Sequence, residues 1–220
     1  SRGGRRARRP SRAGRAGRAP FPAMPTPPES PAPHRTAPDG VPDGASGGGA
    51  PHASRRIVVI GAGAVGAVFG GRLARAGCDV TFVARGATAA ALARDGLVVR
   101  SFEGDFTLAA VRVAATPGEA GAADVVPVAV KAEQVAALAP SLAACVREGT
   151  IVVPMQNGVD ASDELAAALG AAHVLDGFCG VLAAQEAPGV IRHAGIVPRR
   201  VFGPPADAPP NRLGLARWMA

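Results

Sequence analysis

A glycine-rich segment follows the first apolar run of the sequence. Arg56–Ile60 is rich in β-branched residues, and the hexapeptide Gly61-Ala-Gly-Ala-Val-Gly66 comes directly after it. This order predicts a strand, a tight turn and a helix, in which Gly61 permits the turn, Gly63 lets a ligand approach the backbone and Gly66 lets the helix pack against the strand. Free N–H groups in the first turn of such a helix favour negative charge, so the segment predicts a pyrophosphate site. The alternative is a glycine-rich turn without a ligand.

A basic residue occupies the position after the second predicted strand. We predict that strand over Asp79–Ala84, and Arg85 follows it. A site for NAD needs a carboxylate there to accept the ribose hydroxyls, whereas a forked guanidinium suits a ribose 2′-phosphate. A charge-assisted hydrogen bond contributes about 1.5 to 3 kcal/mol, which corresponds to a preference of roughly 10- to 100-fold for NADP(H). A solvated surface arginine is the alternative.

Two rare residue types follow the next two predicted parallel strands. Lys131, the only lysine among 24 basic residues, comes directly after the predicted strand Asp124–Val130. Asn157, one of two asparagines, follows the predicted strand Ile151–Val153. Both therefore lie at the carboxyl edge of the sheet, where ligands of such folds bind, and we expect them to orient a nucleotide or a keto acid. The alternatives are a surface lysine and an Asn-Gly turn.

Strands and helices alternate along residues 55–203, which we take as one domain. Beyond the strands already given, the pattern predicts a hairpin of Leu97–Phe102 and Phe106–Val113. Predicted helices run from the glycine motif to Gly77 and over Ala87–Arg94, Ala132–Val146 and Asp160–Leu169. Such alternation implies right-handed crossovers and a Rossmann-type, doubly wound parallel sheet of the α/β class.

Shorter strand-like segments follow the last predicted helix. They are Phe178–Gln185, Val190–Arg192 and Arg199–Phe202, and we expect them to form an antiparallel edge that completes the sheet. Pro127 falls inside a predicted strand. Because proline donates no ladder hydrogen bond, we expect a bulge at that position.

The first 54 residues differ in composition from the rest. They consist mainly of Arg, Pro, Gly, Ala and Ser without a periodic apolar face, and we expect a disordered tail. Residues 1–56 hold 11 arginines and three acidic residues, a net charge of +8, whereas the remaining 13 basic and 14 acidic residues give −1. The folded part therefore predicts no nucleic-acid partner. For the tail, the alternatives are an RNA- or membrane-binding arm, an organelle transit peptide, and an upstream extension of the reading frame with Met24 as the start.

The spacing of the cysteines and the hydropathy of the chain indicate the cellular compartment. Cys78, Cys145 and Cys179 are scattered in no metal-ligand or redox spacing, which suits a reducing cytosol and predicts no metal site. No uninterrupted apolar run approaches the ~20 residues that span a bilayer, and no apolar secretory segment stands near the start. We therefore expect a cytoplasmic protein without a membrane partner.

Five motifs occur in the order and spacing of one known family. They are Ile60-Gly-Ala-Gly-Ala-Val-Gly66, Val83-Ala-Arg85, Val130-Lys-Ala-Glu-Gln134, Gln156-Asn-Gly-Val159 and Pro188-Gly-Val-Ile-Arg-His193. Over Arg55–Ala220 the chain thereby resembles the ketopantoate reductases (2-dehydropantoate 2-reductases). The resemblance implies NADPH-dependent reduction of the keto group of ketopantoate to give pantoate, a step toward pantothenate and coenzyme A.

The resemblance also implies roles for individual residues. Arg85 would bind the 2′-phosphate of NADP(H). Lys131 and Asn157 would line the nicotinamide ribose and the substrate, and would orient them for catalysis. Ala183 would touch the cofactor through its backbone. The pyrophosphate would lie against Gly61, Ala62, Gly63, Ala64, Val65 and Gly66.

Members of this family continue into a helical second domain, which supplies the lysine that donates a proton and further groups for the substrate. Only 17 residues follow Gly203, and we take residues 204–220 as the start of that region in a truncated or frameshifted chain. We expect such a chain to bind NADP(H) without appreciable activity by itself. The alternatives are an NADP-binding module without catalysis, a reductase of another 2-keto acid, and a basic-tailed nucleic-acid binder.

Overall fold

A parallel sheet of five strands forms the centre of the fold. The computed structural model describes residues 55–157 and 160–203. The strands in chain order are β1 (Arg56–Ile60), β2 (Asp79–Val83), β3 (Leu97–Ser101), β4 (Phe106–Leu108), β5 (Arg112–Ala114), β6 (Val125–Val128), β7 (Ile151–Pro154), β8 (Asp176–Gly180), β9 (Ala183–Ala187), β10 (Val190–His193) and β11 (Arg199–Gly203). The helices are α1 (Ala64–Arg75), α2 (Gly86–Asp95), α3 (Pro117–Ala120), α4 (Val135–Leu138) and α5 (Asp160–Leu169), with 3-10 segments at Ala132–Gln134, Ala139–Cys145 and Ala171–His173.

The strand order in the main sheet is β5-β2-β1-β6-β7, and each neighbouring pair is parallel. β1 therefore stands between β2 and β6, and the direction of winding reverses between β1 and β6. This order confirms the predicted Rossmann-type, doubly wound arrangement of the α/β class. In such sheets the crevice outside the strand ends at the reversal binds ligands.

The main sheet buries an apolar cluster on each face. Ile57 and Val59 of β1 lie in the cluster on the side of α1. Val58 and Ile60 lie in the opposite cluster, with residues of α3 and α5. All four are at most 1% exposed. Because successive strand residues face opposite sides, an uninterrupted apolar strand of this kind suits a sheet that is covered on both faces.

Helix α1 packs against the sheet through glycines. Gly66 and Gly70 lie one turn apart on its buried side. A Cβ at Gly70 would lie 2.6 Å from Phe82 Cε1 and 2.9 Å from Val59 Cγ2. Helix α1 can therefore approach β1 and β2 this closely only because position 70 is a glycine. It ends at the predicted position, next to Gly77, whose φ is +90°.

A second sheet covers the outer side of α1. Its order is β4-β3-β10-β9, in which β3 and β10 are parallel and the other pairs are antiparallel. The predicted antiparallel edge is present as the pair β8 and β11, which forms a two-stranded sheet of its own, and Val174, just before β8, makes an isolated parallel bridge to Val152 of β7. β9 and β10 belong to the second sheet and also do not complete the main sheet. β9 and β10 pack over α1, and a Cβ at Gly71 of this helix would lie 2.9 Å from Leu97 Cδ2 in β3, so the second sheet covers this side of α1.

Four segments of the structure differ from the elements predicted for them. The helix predicted over Ala132–Val146 is broken into 3-10 segments around α4, because Pro140 lacks the N–H that a continuing helix needs. The strand predicted over Phe106–Val113 is divided, since β4 pairs with β3 and β5 with β2. The bulge predicted at Pro127 is wrong, because β6 stays in continuous register with β7. The strand predicted over Phe178–Gln185 is two strands, β8 and β9.

Two predictions fall outside the described residues. They are the disordered tail over residues 1–54 and the C-terminal region over residues 204–220. The domain boundaries inferred from composition therefore stay predictions. Within the ranges that the structure describes, no helix has both the length and the apolar character needed to cross a membrane.

Gly70 offers a test of the close packing between α1 and the sheet. Gly70→Ala places a methyl group against Phe82 and Val59, which are at most 1% exposed and have little room to move. We expect the free energy of unfolding to fall by about 1 to 3 kcal/mol in urea denaturation. Gly118→Ala is the matched control, because the nearest atom to its Cβ would be Thr116 Oγ1 at 3.9 Å. Equal losses from the two substitutions would contradict the packing described.

Candidate nucleotide-binding site

The carboxyl ends of the parallel strands open onto a cavity of about 650 Å³. Its walls are the turn after β1, the beginning of α2, the turn after β5 and the segment after β6. Polar and glycine residues of the lining are Gly61, Gly63, Arg85, Thr88, Thr116, Gln134, Ser141 and Gln185. The cavity therefore lies beside the reversal between β1 and β6, at the crevice where sheets of this order bind ligands.

The glycine turn shapes one wall of the cavity. Gly61 has a φ of +95°, and its N–H donates to the Val83 carbonyl at 3.0 Å, which fixes the turn between β1 and α1. A Cβ at Gly66 would overlap the Gly61 carbonyl oxygen, so α1 begins in direct contact with the turn. A Cβ at Gly63 would meet nothing within 4 Å. The backbone at Gly63 is therefore accessible to a ligand.

Helix α1 begins at this accessible backbone. Gly63 is its N-cap and offers no side chain to its first N–H groups, and the first turn holds no acidic residue. The first N–H groups of a helix have no partner within the helix, so those of Ala64 and Val65 are available to an anion. Ala62, before the N-cap, is buried. The positive end of the helix dipole adds to the attraction for phosphate oxygens.

Arg85 stands at the end of β2, where it is the N-cap of α2. Its side chain is exposed and lines the cavity. The Ala84 N–H donates to the Ala114 carbonyl at 3.1 Å, which holds this end of β2 beside β5. None of the described residues that line the cavity is acidic. A guanidinium in these surroundings suits a phosphate group, since no carboxylate competes for it.

Lys131 is exposed at the end of β6. It is not itself part of the lining, but Val130 before it and Gln134 after it both line the cavity. The Lys131 N–H donates to Gln134 Oε1 at 3.3 Å, and the Gln134 N–H donates to the Lys131 carbonyl at 2.9 Å. The backbone of Lys131 is thus held while its ammonium group extends from an exposed position.

A buried amide ties the ends of β6 and β7 together. Gln156 is 7% exposed, and its Nε2 donates to the carbonyls of Val128 at 2.9 Å and Val130 at 2.8 Å. Its Oε1 is buried and has no hydrogen-bond partner among the described residues. Lys131 and Asn157 each stand three residues beyond the last pair of β6 and β7. The two strand ends are therefore joined next to the predicted residues.

Asn157 and Ala183 also lie outside the lining of the cavity. Asn157 is exposed after β7, and Ala183 is the half-buried first residue of β9. β9 reaches the cavity through Gln185, whose Nε2 donates to Thr88 Oγ1 at 3.2 Å. Sequence reasoning gave no role to Gln156, Gln185 or Thr88. A single hydrogen bond between distant segments leaves no periodic pattern, and the position of Gln156 beside Asn157 was the one available signal.

Charges differ between the two ends of the main sheet. At the amino ends, Asp79 and Asp124 are each paired with an arginine. At the carboxyl ends, neither Arg85 nor Lys131 forms an ion pair within the described part of the chain. This end of the sheet therefore carries positive charge that is available to an anionic ligand.

These features define an α/β protein with a dinucleotide site at the carboxyl edge of a Rossmann-type sheet. The residues present fit a nicotinamide dinucleotide. Nothing lies within 4 Å of the position of a Cβ at Gly63, so a pyrophosphate can approach the backbone there, and Arg85 stands where the adenosine ribose lies in folds of this order. The class is thus that of NAD(P)-dependent oxidoreductase folds.

Comparison with known proteins identifies the family. Residues 57–206 match the family described as Ketopantoate reductase PanE/ApbA, and the chain belongs to it. The chain is 34% identical to the uncharacterized oxidoreductase YkpB of Bacillus subtilis over 148 residues, 67% of this chain and 48% of that protein. It is 34% identical to a 2-dehydropantoate 2-reductase of Nostoc over 139 residues, 63% of this chain and 43% of that protein. The chain thus spans about half the length of these relatives.

Solved structures show the same likeness. The 2-dehydropantoate 2-reductase from Geobacter metallireducens matches with a TM-score of 0.69 and 33% identity, over 74% of this chain and 54% of that one. A ternary structure of D-mandelate dehydrogenase with NADH matches with a TM-score of 0.66 over 75% of this chain and 52% of that one, and at 20% identity it shows the shared fold alone. The predicted resemblance to the ketopantoate reductases is confirmed.

Gln156 provides a test of how the strand ends are held. Gln156→Leu keeps most of the side-chain volume but removes the donor to the Val128 and Val130 carbonyls. We expect the free energy of unfolding to fall by about 1 kcal/mol in urea denaturation, since loss of the unpartnered Oε1 offsets part of the cost. Gln185→Leu is the control, because Gln185 is exposed, and it should change stability by less than about 0.5 kcal/mol. If both substitutions leave stability unchanged, the amide does not hold these strand ends.

Proposed function

We propose that this protein is an NADPH-dependent oxidoreductase that reduces a small 2-keto acid, ketopantoate, to the hydroxy acid pantoate. Family membership supports the reaction class, and the 2-dehydropantoate 2-reductases among the relatives support the substrate. The observation that carries the choice of cofactor is Arg85 at the end of β2, in a cavity whose described lining holds no carboxylate.

The orientation that we propose for the cofactor follows from the sites of its pyrophosphate and its 2′-phosphate. The backbone between Gly61 and Gly66 would hold the pyrophosphate, with the N–H groups of Ala64 and Val65 as donors. Arg85 would bind the 2′-phosphate. A guanidinium donates hydrogen bonds but accepts none, so it favours a phosphate oxygen over the two ribose hydroxyls that a carboxylate would bind.

When bound, the nicotinamide would supply the hydride that reduces the keto carbon. Lys131 and Asn157 stand at neighbouring strand ends, and we assign them the ribose and the oxygens of the keto acid, which their N–H groups hold in place for the reaction. Ala183 contacts the cofactor through its backbone. The resemblance to the family assigns the proton donor to a lysine of the helical second domain, so we propose full activity for a chain that includes that domain.

We also propose a cytoplasmic location without a nucleic-acid or membrane partner. Cys78, Cys145 and Cys179 form no disulfide among the described residues, as expected for a reducing compartment. Burial raises the pKa of the Cys145 thiol, which keeps it protonated and unreactive.

Cofactor titration tests the role of Arg85. The protein should bind NADPH about tenfold more tightly than NADH, because a charge-assisted hydrogen bond to the 2′-phosphate is lost with NADH. Arg85→Ala should remove most of this difference, measured by the fluorescence of the bound nicotinamide. Arg94→Ala is the matched control, since Arg94 is also exposed on α2 but pairs with Asp95 away from the cavity. Equal affinities for the two cofactors in the unsubstituted protein would refute the NADP assignment.

Turnover tests the role of Lys131. With the helical domain of a full-length relative supplied as a separate protein, the chain should oxidise NADPH in the presence of ketopantoate. Lys131→Ala should lower kcat/KM by about 100-fold, because positioning by a charged donor is lost. The rate is followed by NADPH absorbance. A variant that retains the full rate would remove Lys131 from the proposed site, and lack of turnover with any 2-keto acid would argue against the reductase.

A further inference from the structure

A pair of polar side chains from two different sheets meets in the cavity. Thr88 lies in the first turn of α2, and Gln185 lies on β9 of the second sheet. Both line the cavity together with Arg85, and Gln185 Nε2 donates to Thr88 Oγ1 at 3.2 Å. The motifs that indicate the family include neither residue.

The direction of this hydrogen bond determines what Thr88 can offer. A hydroxyl oxygen that accepts from an amide keeps its own proton for a second partner. Among the described residues, no acceptor takes a proton from Thr88 Oγ1. The Thr88 hydroxyl is therefore a donor, and Gln185 holds the oxygen so that this donor remains free for a ligand in the cavity.

The chemistry around this donor suits an anion. Arg85, the N-cap of α2, and Thr88, in the first turn of that helix, both line the cavity. Glu186, the residue after Gln185, faces the other side of β9 and is bound by Arg192 and Arg100. Those contacts, with the Arg192 hydrogen bond first, hold the pKa of Glu186 below its usual range. The nearest carboxylate on β9 is thus neutralised away from the cavity.

We propose that Thr88 is a further ligand of the 2′-phosphate and determines, with Arg85, the preference for NADP(H), and that Gln185 is the positioning residue of the Thr88 hydroxyl. This inference rests on the proposed binding of NADP(H). It adds to that proposal a contribution from the second sheet, so that β9 and α2 close on the phosphate from two sides of the cavity.

The test uses 2′,5′-ADP and 5′-AMP as probes, which differ by the 2′-phosphate alone, with affinities measured by calorimetry. Thr88→Val is nearly isosteric and should weaken 2′,5′-ADP binding about tenfold while leaving 5′-AMP unchanged. Thr88→Ser should retain the affinity, because it keeps the hydroxyl. Thr107→Val, at the exposed middle position of β4 and outside the cavity, is the control and should change neither affinity.

Gln185→Leu tests the positioning role by a second route. It should weaken 2′,5′-ADP binding about threefold in the unsubstituted protein and have no further effect in the Thr88→Val background, because the two residues act as one unit. Additive losses would show that Gln185 acts without Thr88 and would overturn its positioning role. Should Thr88→Val not fold, the Gln185→Leu and Thr88→Ser affinities still decide the matter.

The outcomes separate this inference from the function on which it rests. If the unsubstituted protein binds 2′,5′-ADP no better than 5′-AMP, the NADP assignment fails and the inference fails with it. If it discriminates between the probes and Thr88→Val discriminates equally well, the inference alone is overturned. Discrimination that falls in Thr88→Val and is preserved in Thr88→Ser supports it.

Discussion

Helix α1 begins so close to the end of β1 that the position of Gly66 has no room for a side chain. A Cβ there would overlap the Gly61 carbonyl oxygen, and a Cβ at Gly70 would press on Phe82 in β2. This contact sets the direction of the helix and brings its first N–H groups to the end of the strand. Gly63 precedes these two tight positions, and a Cβ there would meet nothing within 4 Å. The same short stretch thus joins the packing of the core to the proposed phosphate site.

The opposite side of the crevice is held by a different means. Gln156 joins the carbonyls of Val128 and Val130, so the segment that carries Lys131 cannot separate from the end of β7 without breaking buried hydrogen bonds. The carboxylates Asp79 and Asp124 are paired at the other end of the sheet. The cavity therefore lies between two walls that these contacts hold, the turn after β1 and the segment after β6.

Local patterns in the sequence were sufficient for much of this architecture. The apolar run before the glycines, the alternation that follows and Gly77 each report a local constraint, and the main sheet agrees with them. The second sheet could not be predicted in the same way, because β10 pairs with β3 across about ninety residues of sequence. Its role as a cover for α1 depends on tertiary packing.

In the candidate site, too, some residues could be identified from the sequence and others could not. Arg85, Lys131 and Asn157 could be chosen because each follows a predicted strand at the edge where ligands bind. Gln156, Thr88 and Gln185 could not, since their importance lies in hydrogen bonds to segments far away in the chain. The break of the helix after Lys131 was readable in principle from Pro140, but the apolar periodicity of that segment outweighed it.

The most direct test of the account is the change in backbone amide chemical shifts when the protein is titrated with NADPH in an NMR experiment. The proposed pyrophosphate site is the first turn of α1. The amides of Gly63, Ala64 and Val65 should therefore shift most strongly and in proportion to cofactor binding. Saturation with NADPH that leaves these amides unshifted, with the changes concentrated away from the carboxyl edge of the main sheet, would contradict the proposed site.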